Sequence, residues 1–229
     1  MPTGAKLYIS SAIIVGLTML AGCLLYGWSF PDLPRYFGYL LLACLSSTLK
    51  IKLPKICGTM SISFLFVLIG VAELTAAETI TLGCASALTQ CLWKPRKRPT
   101  LVQILFNMST LATSIGGCFF ISHGLVQGEN LLGLLAVAVC SYFLLNTGMV
   151  SLVLALIEKR SYIKIWRQCY LWSFPYYLVG SGVAAAIIFS GRTAGWKPPL
   201  LMLPVMYLIY SYYRLYLLDH TENDYKPAQ

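Results

Sequence analysis

Trp93-Lys94-Pro95-Arg96-Lys97-Arg98-Pro99 decides how this chain must fold. Four of its seven residues are basic, and apolar sequence lies on both sides. A helix in lipid cannot carry such a cluster through hydrocarbon, where each charge costs about 3 kcal/mol on insertion scales. The cluster therefore belongs in water. The excess of Lys and Arg in short loops facing the cytoplasm assigns that water to the cytoplasm.

The composition agrees with repeated passage through a membrane. Of 229 residues, 58% are hydrophobic and 11% charged, against about 25% charged in soluble domains. The net charge of +9 does not indicate nucleic acid, because the charges occupy short loops rather than one folded face. They serve as orientation signals and attract anionic lipid heads. The eight cysteines contain no C-x-x-C, and with His123 and His220 as the only histidines no zinc spacing arises. The cysteines read as small buried hydrophobes. No metal and no cofactor is expected.

Outward from the basic loop, the chain divides into apolar runs. Toward the N-terminus, helix 4 is expected from about Ala76 to Trp93 and helix 3 from about Gly58 to Leu74. Thr75-Ala-Ala-Glu78 between them fits a capping box, in which hydroxyl and carboxylate each bond the other residue's amide. Each run is near the lower limit of length for a span, so one of the two could be partly re-entrant. Lys50, Lys52 and Lys55 form a second basic loop. Helix 2 covers about Arg35 to Leu49, and Pro31 and Pro34 separate it from helix 1, about Leu7 to Trp28. Helix 1 is too long for a signal-peptide core and Thr3 to Lys6 is a thin leader, so it reads as retained.

Toward the C-terminus, Thr100-Leu-Val-Gln103 offers a second capping box, opening a helix 5 that ends near His123. A turn at Gly128-Glu129-Asn130 leads to helix 6, about Leu131 to Leu156. Ser161 to Trp172 places Ile163, Trp166, Cys169 and Tyr170 at helical spacing, with Lys164, Arg167 and Gln168 elsewhere. That pattern predicts an amphipathic helix at the cytoplasmic interface, its tryptophans at headgroup depth. Helix 7 runs from about Phe174 to Ser190 with Pro175 in its first turn. Helix 8 runs from Pro198 to about Leu218, with a kink at Pro204.

The expectation is thus an all-α polytopic membrane protein of about eight transmembrane helices plus one interfacial helix. Residues 1–218 form one integral domain and residues 219–229 a polar cytoplasmic tail. With both termini inside, fourteen of the 17 basic residues face the cytoplasm, while Arg35, Arg192 and Lys197 face outward.

No catalytic constellation emerges. Ser47-Thr-Leu-Lys50 matches S-x-x-K without its companion motifs, and the sequon at Asn107-Met-Ser109 falls within an expected membrane helix. Polar residues inside spans are more informative, since lipid denies them partners. Gln90, Asn107 and Asn146 are amides in helices 4, 5 and 6. They either bond across helix interfaces or line a ligand cavity. Glu73 falls in the last turn of helix 3, where the helix dipole disfavours a negative charge. Glu73, Asn107, Asn146 and Gln90 are therefore the candidate ligand-binding residues, in a pocket between helices 3 to 6 that opens outward. Gly180, Gly182 and Ala184 to Ala186 suit close helix packing.

Several stretches taken in order resemble the N-terminal membrane sensor (MASE-type) region of bacterial cyclic-di-GMP signalling proteins with HD-GYP or GGDEF output domains. They are Gly58-Thr-Met-Ser-Ile-Ser-Phe64, Gln90-Cys-Leu-Trp93 with Arg98-Pro99, Phe106-Asn107, Asn146-Thr147, Trp172-Ser-Phe-Pro-Tyr-Tyr177 and Tyr213-Arg-Leu-Tyr216. The resemblance implies a non-enzymatic sensor module in the bacterial inner membrane. It would relay a small-molecule or membrane signal to a cytoplasmic signalling enzyme, its partners including the lipid bilayer but no nucleic acid. In that family an output domain follows the last helix, whereas here a short tail does, so cyclase or phosphodiesterase activity is not implied. The 58–93 hairpin also resembles the substrate-binding subunits of energy-coupling-factor vitamin transporters. That implies an alternative role in small-molecule uptake.

Overall fold

The fold is taken from a computed structural model, which describes residues 2–27, 31–51, 60–93, 98–127 and 130–194. Most of the basic loop at 94–97, Lys52 and Lys55, the turn at Gly128 and Glu129, and the expected helix 8 and tail lie outside the described residues.

Eight α-helices are described: α1 (Thr3–Tyr26), α2 (Leu33–Ser47), α3 (Phe64–Glu73), α4 (Ala76–Leu92), α5 (Leu101–Leu125), α6 (Leu131–Glu158), α7 (Tyr162–Cys169) and α8 (Phe174–Ala194). Four of them, α1, α5, α6 and α8, are long and apolar enough to cross a membrane. Both expected capping boxes form. At α4, the Glu78 amide donates to the Thr75 hydroxyl and the Thr75 amide to the Glu78 carboxylate; Thr100 and Gln103 repeat the arrangement at α5. Asp32 and Asn130 cap α2 and α6 through their side-chain oxygens. Lys159, left-handed at φ 53°, ends α6.

The main departure from expectation is α3. It has 10 residues rather than a span of about 17, roughly 15 Å of helix and half a hydrocarbon core. Residues 60–63, immediately before it, are not helical. Met60–Ser61 pairs antiparallel with Lys50–Ile51 as a two-stranded ribbon, β1 and β2. The Ser61 hydroxyl bonds that of Ser63 at 2.7 Å and the Gln90 side chain at 3.1 Å. Both bonds join side chains, and the second ties the entry of α3 to the last turn of α4.

Every residue of α3 from Phe64 to Val71 is buried. A helix apolar on all faces belongs in the centre of a bundle, and α3 packs against α2, α4, α5, α6 and α8. Around it, α5 lies between α1, α4 and α6. Two glycines allow close approach. A Cβ on Gly16 would collide with the backbone of Ser109 on α5, and one on Gly180 with the ring of Phe64. Gly180 thus has the packing role expected of it, whereas a Cβ on Gly182 would meet no atom among the described residues. By contrast α1 exposes Leu7, Ile14, Val15 and Leu25, the pattern of a helix bathed in lipid on one side.

The amphipathic segment forms α7, but its buried face differs from the expected one. Ile165 and Tyr170 are buried against Ala155 while Ile163 is 63% exposed. Trp166 turns toward the bundle, where its indole meets Phe143. The segment folds back along the last turns of α6. At 28 residues, α6 is about 42 Å long, some 12 Å more than a hydrocarbon core, and this excess gives α7 a surface to rest on.

Candidate functional site

Glu73 is the last residue of α3, where unsatisfied carbonyls make a carboxylate unwelcome. The fold offsets this with two cations from different helices. Arg35, in the first turn of α2, pairs through Nη2 with Glu73 Oε2, and Arg192, in the last turn of α8, places Nε 3.7 Å from Oε1. The carboxylate is 8% exposed, Arg35 38% and Arg192 53%. Arg35 also lies 5.7 Å from the centroid of the Tyr39 ring one turn further along α2, close enough for cation–π attraction. Three helix ends are thus joined by one buried carboxylate and two half-open guanidiniums, a triad of net charge +1. Arg192 also sits at a helix C-terminus, where a cation is favoured.

The three amides lie elsewhere. Gln90 accepts a bond from Ser61, beside the entry to α3. Asn107 on α5 donates through Nδ2 to the Cys91 sulfur on α4 at 3.4 Å and is otherwise exposed. Asn146 on α6 hydrogen-bonds Tyr177 on α8. The Tyr177 ring in turn lies 4.8 Å from that of Phe64, at the start of α3. Cys91 is at the far end of α4 from Glu73, and α4 is 17 residues, about 25 Å of helix. The structure therefore brings Gln90, Asn107 and Asn146 toward one end of the bundle and sets Glu73 at the other. Among the described residues, Glu73 and the three amides do not meet in one place. Glu73 finds its countercharges on α2 and α8, and each amide meets a polar group on a neighbouring segment, the ordinary resolution of polar groups in lipid.

At the amide end the contacts are aromatic. Phe64 packs on Tyr176 and Tyr177, Tyr177 on Tyr142 and Phe143, and Phe143 on Phe174 and Trp166. Trp166 then donates from Nε1 to the Thr147 hydroxyl on α6 at 3.0 Å. The cluster joins α3, α6, α7 and α8. Sequence reasoning did not anticipate it, although Trp172-Ser-Phe-Pro-Tyr-Tyr177 had marked the segment. It also placed Arg35 and Arg192 on the same face as Glu73 without pairing them.

Among the described residues no group of three His, Cys, Asp or Glu side chains could hold a metal ion. Six described cysteines are free thiols. Cys118 on α5 donates to the Ala138 carbonyl on α6 at 3.2 Å, and Cys84 on α4 to the Met108 carbonyl on α5 at 3.7 Å, so both act as interhelical contacts.

The chain matches no protein-family model, and neither a curated protein nor a solved structure matches it.

Proposed function

We propose that the chain is a non-enzymatic sensor-like module of the bacterial inner membrane, with its input at the charged triad and its output through α7 to a cytoplasmic signalling partner. One observation carries this reading. The central helix α3 is buried from Phe64 to Val71, ends in the carboxylate held by Arg35 and Arg192, and begins at the aromatic cluster that holds α7. A short rigid element packed on all sides transmits displacement between its ends better than one bathed in lipid. The excess of basic residues in the loops after helices 2, 4 and 6 supports placing the α7 end in the cytoplasm and the triad outside. About eight spans with both termini inside fit this orientation.

The test uses Trp166 as reporter, with the other four tryptophans changed to phenylalanine. Glu73→Gln and Arg35→Gln should each shift Trp166 emission or its quenching by acrylamide. Unchanged Trp166 signals in well-folded variants would end the claim of coupling. Purification from native membranes supplies a second test, because the module should carry a cytoplasmic signalling enzyme with it.

A second reading, the substrate-binding subunit of an uptake transporter, draws on the half-length of α3, since elements that stop at mid-membrane commonly border solute sites. Co-purification of an ATPase and a coupling protein would favour it over the sensor.

A further inference from the structure

We propose that Arg35 and Arg192 form an anion site, which takes phosphate or carboxylate oxygens with Glu73 as its resident competitor. The inference rests on the reading of the triad as the input for its meaning as a signal. Its test concerns binding alone, so the two can fail separately.

Charge comes first. Two guanidiniums share the one carboxylate of Glu73, while the nearby Asp32 carboxylate accepts from the Arg35 backbone amide and pairs with neither guanidinium. Geometry comes second. Arg192 approaches Glu73 with Nε at 3.7 Å, beyond hydrogen-bond range, and is more than half exposed. Each guanidinium has five N–H donors in a planar fork suited to paired oxygens. Arg35 engages Glu73 through Nη2 and Arg192 faces it only through Nε, so donors on both remain for a second oxyanion. Positioning comes third. Tyr39 beside Arg35 and the burial of Glu73 hold that half of the site in place, while Arg192 is the more open half. An arriving oxyanion would bridge the two cations from the exposed side and weaken the hold of Arg192 on Glu73.

The same chemistry can come from a dissolved anion or from a lipid headgroup at the membrane surface. The full-length protein in dodecyl maltoside micelles separates them. One arm adds inorganic phosphate, with chloride at matched ionic strength as control. The other adds phosphatidylglycerol to the micelles. Thermal unfolding midpoints should rise with at least one of the two. A rise with phosphate alone identifies a free anion, and a rise with phosphatidylglycerol alone identifies a headgroup. Arg192→Gln should abolish the rise, and Arg167→Gln, at the other end of the bundle, should keep it. Glu73→Gln should bind about tenfold more tightly, because the competitor loses its charge. No rise in either arm, or a full rise in Arg192→Gln, overturns the proposal. A fold-competent Glu73→Gln that binds no more tightly than the parent also overturns it, leaving the triad as an ion lock.

Discussion

The indole Nε1 of Trp166 donates to the Thr147 hydroxyl at 3.0 Å, and that hydroxyl donates on to the Phe143 carbonyl at 2.6 Å. The bond fixes α7 to α6 about three turns before α6 ends. Replacing Trp166 with phenylalanine keeps an aromatic ring near Phe143 but removes the donor. The expected cost is about 1 kcal/mol, the usual net value of one such bond. Denaturant unfolding in micelles measures it. An unchanged midpoint would mean that α7 is held by apolar contact alone.

Gly180 and Phe64 give a steric prediction. A methyl at 180 would occupy space held by the Phe64 ring. Gly180→Ala should therefore destabilise by about 1–3 kcal/mol, the range for overpacking. Phe64→Leu should recover part of that loss when combined with it. Strict additivity in the double-mutant cycle would show that the two do not press on one another.

The two arginines of the triad should not be equivalent. Arg35 is less exposed than Arg192, makes the closer pair and has Tyr39 beside it. Arg192→Ala should cost no more than about 0.5 kcal/mol, in line with exposed pairs, and Arg35→Ala about twice that. Both losses should shrink at 1 M salt, where screening acts over only about 3 Å. Equal costs at all salt concentrations would argue that the ion pairs contribute little.

Orientation has its own test. In a cysteine-free background, cysteine at Lys97 should react with an impermeant reagent only after the membrane is opened, and cysteine at Glu129 should react in intact cells. Cysteine at Arg192 should behave like that at Glu129. The opposite pattern would place the triad in the cytoplasm and exchange the input and output sides.

The helices were legible where local chemistry sets them. Thr75 with Glu78 and Thr100 with Gln103 announced two helix starts through capping pairs that need no tertiary partner. The long apolar runs gave α1, α5, α6 and α8 within a few residues. The site was less legible because it depends on distance across the fold. Glu73 stood out as a charge in a poor place, but its partners lie 38 positions before it and 119 after it. Nothing local pairs such charges; only the shared face of Arg35, Glu73 and Arg192 hinted at it. The start of α3 was misjudged for a related reason. The long apolar run that begins at Phe64 suggested a helix reaching back to Gly58, yet Met60–Ser61 pairs as a strand with the distant Lys50–Ile51. The facing of Trp166 was misjudged because spacing alone does not tell lipid from protein as the apolar environment.

The brevity of α3 also bears on how the chain is made. Nine apolar residues and a terminal glutamate are too few to halt in a translocon and cross a bilayer alone. Its entrance also carries side-chain hydroxyls that need partners. Four of the five helices that pack against it, α4, α5, α6 and α8, are synthesised after it. During synthesis α3 therefore emerges before most of its final surroundings exist, and its burial depends on helices made later. The residue that ends it can meet Arg192 only once α8 has been made, so the triad closes after the helix that supplies its second arginine.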